Sequence, residues 1–91
     1  MQLERLITVF DNKTETLKEE VNIDYIELNE LKRIFNASDD DPLMYNIYEI
    51  KTDHVHSLNK LLKNKIDFDI KANAYYVECV QLPPYDFGKK N

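Results

Sequence analysis

Apolar positions along this chain change their period several times, and each change marks an element. From Leu3 to Phe10 the β-formers Leu6, Ile7, Thr8, Val9 and Phe10 put apolar side chains at both parities. That pattern suits a strand covered on both faces or lying in the middle of a sheet. Asp11-Asn12-Lys13-Thr14 is turn chemistry, since Asp and Asn tolerate tight and left-handed backbone. Leu17, Val21 and Ile23 then alternate with Lys18, Glu20 and Asn22, with Glu19 breaking the parity. The alternation predicts a half-buried strand that closes a hairpin with the first.

The spacing next becomes helical. Tyr25, Leu28, Leu31, Ile34 and Phe35 follow Asp24, a cap with Glu27 three residues on, and predict a helix over 24–35. Lys32 and Arg33 suit the negative end of its dipole, and Asn36 suits a left-handed stop. After an acidic loop at 37–42, Met44 to Ile50 predicts a third strand. Thr52 or Asp53 would cap a second helix over 53–64, with Val55, Leu58, Leu61 and Leu62 as its apolar stripe. Ile66, Phe68 and Ile70 alternate with Asp67 and Asp69 in a short strand or extended segment, and Ala72-Asn73 reads as a turn. Ala74 to Leu82 predicts the last strand, with Tyr75, Val77 and Cys79 on one face and Tyr76 and Val80 on the other. Pro83-Pro84 would end it. The β-β-α-β-α-β order defines an α+β class: an antiparallel sheet of four to five strands with two helices packed on one face. One domain over 1–82 and a C-terminal tail over 83–91 are expected.

Composition narrows the function. The 91 residues carry 17 acidic against 12 basic side chains, a net charge of −5. Phosphates repel such a surface, so no nucleic acid and no anionic membrane is expected as a direct partner, and a basic protein surface is favoured. No apolar run is long enough to span a bilayer, and the first ten residues lack the basic start and small-residue cleavage site of a signal peptide. Cys79 is the one cysteine, which fits a reducing cytoplasm. Richness in Lys, Asn, Ile and Asp suggests an AT-rich bacterial genome.

Catalytic equipment is sparse. His54 and His56 stand i and i+2 on a helix, roughly 200° apart, which does not suit a shared metal ion. They read as helix-start histidines, and Cys79 as a small buried hydrophobe. No cofactor, metal or enzyme activity is expected. The tract Asp39-Asp40-Asp41-Pro42-Leu43-Met44-Tyr45-Asn46-Ile47-Tyr48-Glu49 is the richest in the chain. Three adjacent aspartates form either a solvated connection or a docking edge for a basic partner. The tyrosines that follow favour the second, because tyrosine adds rigid contact area with a polar tip. Asp39, Asp40, Asp41, Tyr45, Tyr48, Glu49 and Tyr76 are the candidate partner-binding residues.

Four stretches carry a family resemblance: Phe10-Asp11-Asn12-Lys13-Thr14, Leu31 to Phe35, Asp41 to Ile50 and Tyr75-Tyr76-Val77-Glu78-Cys79. Together they resemble a family of short bacterial proteins, a domain of unknown function, that reads FDxxT, LxxxF, DPxMYxxYxI and YxxEC. Proteins of this kind stand beside polymorphic toxins as immunity proteins, notably in contact-dependent growth inhibition. The resemblance implies a cytoplasmic inhibitor of one cognate toxin C-terminal domain, expected to be a nuclease with a basic cleft. Two other classes stay open: a regulatory or adaptor homodimer pairing through a sheet edge, and a small enzyme.

Overall fold

In a computed structural model that describes residues 2–82, the chain forms one sheet with two helices on one side. The elements are β1 (Gln2–Asp11), β2 (Leu17–Asn22), α1 (Leu28–Phe35), β3 (Tyr48–Glu49), α2 (Thr52–Leu61) and β4 (Asn73–Leu82). The four strands lie in the order β2-β1-β4-β3, and every pairing is antiparallel. The expected α+β class holds. The tail 83–91, with its Pro83-Pro84 stop, lies outside the described residues.

The double-parity pattern of β1, which lies between β2 and β4, matches its burial: Leu6, Ile7, Thr8 and Val9 are all buried, so both faces are covered there. Its long pairing with β4 runs from Gln2↔Leu82 to Asp11↔Asn73. Ile7 and Val9 point to the helix side, where Tyr75 and Val77 join them from β4. The helices contribute Leu31 and Phe35, and Leu58 and Leu62, to the same core. Leu28 and Leu61 pack at its margin, half-buried. Each such side chain removed from water contributes about 1.5–3 kcal/mol, so this layer supplies most of the drive to fold.

Three boundaries differ from the pattern, each through a side chain that takes over a backbone bond. Helix α1 starts at Leu28 rather than at Asp24. Strand β2 stops at Asn22, and the Asp24 carboxylate accepts the Arg5 N–H at 2.7 Å in the strand's place. It therefore extends the sheet and does not cap the helix. Helix α2 starts without a Thr or Asp cap: the Lys51 N–H donates to His54 Nδ1 at 2.9 Å. Residues 66–70 form no strand, because the Asn59 side chain bonds the N–H and the carbonyl of Ile66, at 2.9 and 3.0 Å, in place of a neighbouring strand. Ile66, Phe68 and Ile70 still pack against the core. The expected left-handed stop is present: Asn36 has φ 50° and ψ 51°.

Leu31 has no exposed surface. Leu31→Ala is expected to destabilise the fold by about 2–5 kcal/mol through lost transfer energy and a residual cavity. Denaturant unfolding checks this: the midpoint should fall at constant slope, and an unchanged midpoint would contradict the packing.

Candidate partner-binding surface

The third strand was expected over residues 44–50, but only Tyr48 and Glu49 pair with β4. The cause is Asp41. Its Oδ1 accepts the Tyr45 N–H at 2.8 Å, and its Oδ2 accepts the Asn46 N–H at 3.1 Å and the Tyr48 hydroxyl at 2.5 Å. Backbone donors that would have served a strand are captured by one carboxylate, and the chain folds into a loop. Met44 takes a left-handed φ of 52° there. A bulky residue pays for that conformation with strain. Burial of its side chain, 1% exposed, holds it in place.

Arg5 braces the loop from the sheet. Its Nη2 donates to the Leu43 carbonyl at 2.8 Å, and its charge acts on Asp41. The Tyr48 hydroxyl holds the Asp41 carboxyl below its ordinary value of 3.8, helped by the Tyr45 and Asn46 N–H groups and by Arg5, against an opposing effect of burial. The same hydrogen bond, with burial and the facing negative charge, raises the Tyr48 hydroxyl to about 12.

Asp41 was expected to face a partner and instead turns inward, only 7% exposed. An aspartate whose oxygens already accept three protein donors has little left to offer another molecule. Tyr48 likewise packs its ring against Phe35, centroids 5.9 Å apart, on the helix side of the sheet. Asp39 and Asp40 are exposed, as is Tyr45. Glu49 and Tyr76 face each other across the β3–β4 register, on the sheet face away from the helices. The seven candidates thus fall into an internal pair (Asp41, Tyr48), a loop group (Asp39, Asp40, Tyr45) and a sheet-face pair (Glu49, Tyr76).

Beside the expected Tyr45, the structure adds Leu43, Ile47 and Arg5, which the sequence did not single out. Leu43, Tyr45 and Ile47 are 46%, 52% and 63% exposed, while Met44 between them is buried. Leu43 and Tyr45 line a 210 Å³ crevice with Leu3, Arg5, Asp24, Leu28 and Cys79. Within 43–47 only Met44 is buried, and the exposure of the rest arises from the loop pinned at Asp41. Arg5 had one available signal, a lone cation inside an apolar strand. His54 packs against Phe35 at 4.5 Å, and His56 is exposed on α2.

These features define a small α+β domain whose most prominent surface is a pinned, acidic and apolar loop. The chain belongs to the family described as "Domain of unknown function (DUF7683)", whose model matches residues 4–78. No curated protein matches it.

The Asp41–Tyr48 pair generates a pH prediction. Asp41 has a lowered pKa in the folded state, so its contribution to stability is present above its ordinary 3.8 and is lost as pH falls through the folded value. The stability difference between the wild type and Asp41→Asn should therefore shrink on acidification below about pH 4. At the other end, absorbance titration should show a tyrosine ionising near 12, absent in Tyr48→Phe. That variant should also lose about 1 kcal/mol of stability. An acid-independent difference, or an alkaline titration unchanged by Tyr48→Phe, would contradict the bond.

Proposed function

We propose that this chain is an immunity protein: it binds and neutralises a cognate bacterial toxin domain, a nuclease with a basic cleft, in the cytoplasm. The observation that carries this reading is the composition of the 38–47 loop. Two exposed aspartates, Asp39 and Asp40, stand next to Leu43, Tyr45 and Ile47, three of the six large hydrophobic residues left exposed among the described residues. An apolar centre beside free charge is the anatomy of a specific protein interface. The charge, with a chain net charge of −5, steers a basic partner and speeds encounter. The aspartates take the place of phosphates against its Lys and Arg side chains. Tyr45 supplies the rigid contact area that slows dissociation. Because Asp41 and Tyr48 fix the loop before binding, little ordering entropy is spent in the complex. The family resemblance of the DPxMYxxY tract supports the same reading, since that tract contains the pin and the exposed Leu43, Tyr45 and Ile47.

A homodimer pairing through a sheet edge has less support. The free edge of β2 carries Lys18, Glu19 and Glu20, and the β1–β2 register shifts at Val9/Phe10. Charges and bulges of this kind discourage strand addition. An inhibitor needs no chemistry of its own, so His54→Ala, His56→Ala and Cys79→Ser should each retain protection in cells if they fold.

Binding kinetics with a cognate toxin domain, sought among the products of neighbouring genes, test the proposal. A double Asp39→Asn/Asp40→Asn variant should melt like the wild type, associate more slowly and show a flatter salt dependence. Tyr45→Ala should leave association almost unchanged and weaken the complex by about 1–2 kcal/mol through faster dissociation. Wild-type kinetics in both folded variants would remove the loop from the interface.

A further inference from the structure

The helix side of the sheet is buried at its centre and less so at one end. Ile7 of β1 has no exposed surface, whereas Leu3, of the same parity, is 42% exposed. Arg5 lies between them, and Cys79 and Gln81 of β4 continue the same face from Val77. Leu3, Tyr45 and Cys79 line two adjoining hollows over this end of the sheet. One, of 240 Å³, reaches Gln81; the other, of 210 Å³, reaches Leu28 and Leu43. Together they form a crevice with three large apolar walls, Leu3, Leu43 and Tyr45, that stay exposed among the described residues.

The chain leaves β4 beside this crevice. Gln81 pairs with Leu3, and Leu82 with Gln2, where the two strands end together. The sequence then reads Pro83-Pro84-Tyr85-Asp86-Phe87-Gly88-Lys89-Lys90-Asn91. Two prolines have no N–H to give the ladder, so they direct the chain off the strand. Tyr85 and Phe87 stand i and i+2, a spacing that puts both rings on one side of an extended segment and Asp86 on the other. Extended backbone advances about 3.3–3.6 Å per residue, so Tyr85 and Phe87 lie at most about 11 and 18 Å from Leu82. Cys79, at the far side of the nearer hollow, is about 10 Å back along β4. Both rings are therefore within reach of the crevice. Lys89 and Lys90 follow them, and Asp39 and Asp40 are exposed on the same loop as Leu43 and Tyr45. An aromatic pair followed by two cations complements this surface in apolar area and in charge.

We infer that the segment 83–91 is a strap that docks on its own chain: Tyr85 and Phe87 seat in the crevice against Leu3, Leu43 and Tyr45, and Lys89 and Lys90 pair with Asp39 and Asp40. A tether of two prolines holds the rings near the crevice at an effective concentration of roughly millimolar order, so a contact too weak to retain a separate peptide is populated within one chain. The same advantage favours the chain's own segment over that of a second copy. A docked strap covers Leu43 and Tyr45, and a partner must displace it to reach them. This consequence rests on the reading of the 38–47 loop as the partner surface; the docking itself does not.

The test is NMR of the isotopically labelled full chain, with no partner added. Nuclear Overhauser contacts are expected from the ring protons of Tyr85 and Phe87 to the methyl groups of Leu3 and Leu43, and they should persist on dilution. A Tyr85→Ser/Phe87→Ser variant changes two positions beyond β4, and its spectrum reports directly whether it is folded. It should lose these contacts and shift the Leu3 and Leu43 methyl signals, while the Ile7 and Val77 signals in the core stay in place. Rings without contacts to the crevice, contacts only to some other part of the chain, contacts that vanish on dilution (a second copy as occupant), or Leu3 and Leu43 signals unmoved in the variant would each overturn the inference. Because no toxin domain is present, these results leave the immunity reading to be judged by its own binding experiment.

Discussion

One carboxylate decides the shape of the most exposed part of this protein. Asp41 gathers two consecutive backbone N–H groups and a tyrosine hydroxyl at distances of 2.5–3.1 Å. Without that acceptor, residues 44–47 carry the pattern to extend β3 along β4. Extension would place Tyr45 and Ile47 in the sheet and leave no pinned loop. With it, the strand shortens to two residues and the apolar side chains that would have been sheet neighbours are turned to solvent. Charged acceptors make stronger hydrogen bonds than neutral ones, which is why a single side chain can redirect a segment whose local sequence favours β structure.

The rest of the fold supplies the frame against which Asp41 acts. Tyr48 reaches it because its ring is packed on Phe35 and its backbone is paired with Val77. Arg5 reaches the loop because Asp24 holds the adjacent backbone at the end of the β1–β2 pairing. Four elements therefore converge on residues 41–48: the start of β1, the end of α1, β3 and β4. A domain of this size buries a modest fraction of its surface, and its stability resides in the layer between sheet and helices. The loop is fixed by polar contacts laid on that layer and adds little to it. A loop held this way can alter its exposed residues without disturbing the core, which suits a surface that matches a particular partner.

The core was legible in the sequence because periodicity reports burial directly. Ile7, Val9, Leu31, Phe35, Leu58 and Val77 all sit where their spacing puts them. The left-handed Asn36 was legible from residue type alone. Element ends were not, because each depended on a bond between positions distant in sequence. Asp24 has the local chemistry of a helix cap, but the Arg5 N–H, 19 residues earlier, takes it first. Asn59 replaces a strand for Ile66 through its side chain, which alternation cannot register. The surface was half legible. Asp39, Asp40 and Tyr45 are exposed as residue type suggests, and Tyr76 and Val77 fall on opposite faces as parity requires. Asp41 was misread because three adjacent aspartates look equivalent, and only the third lies within reach of the Tyr48 hydroxyl. Ile47 escaped notice because it falls inside the third strand expected over Met44 to Ile50, and Leu43 because it stands just before that strand.

The central claim is that Asp41 is the internal pin of a presented loop. Residue-resolved amide hydrogen exchange tests it most directly, by comparing the wild type with Asp41→Asn under native conditions. The account expects the Tyr45 and Asn46 amides to lose protection in the variant while Ile7 and Val77 in the central strands retain theirs, as independent opening of a local unit requires. Unchanged protection at Tyr45 and Asn46 would contradict the pin. Equal loss across β1 and β4 would show instead that Asp41 belongs to the global core and that the loop has no separate identity.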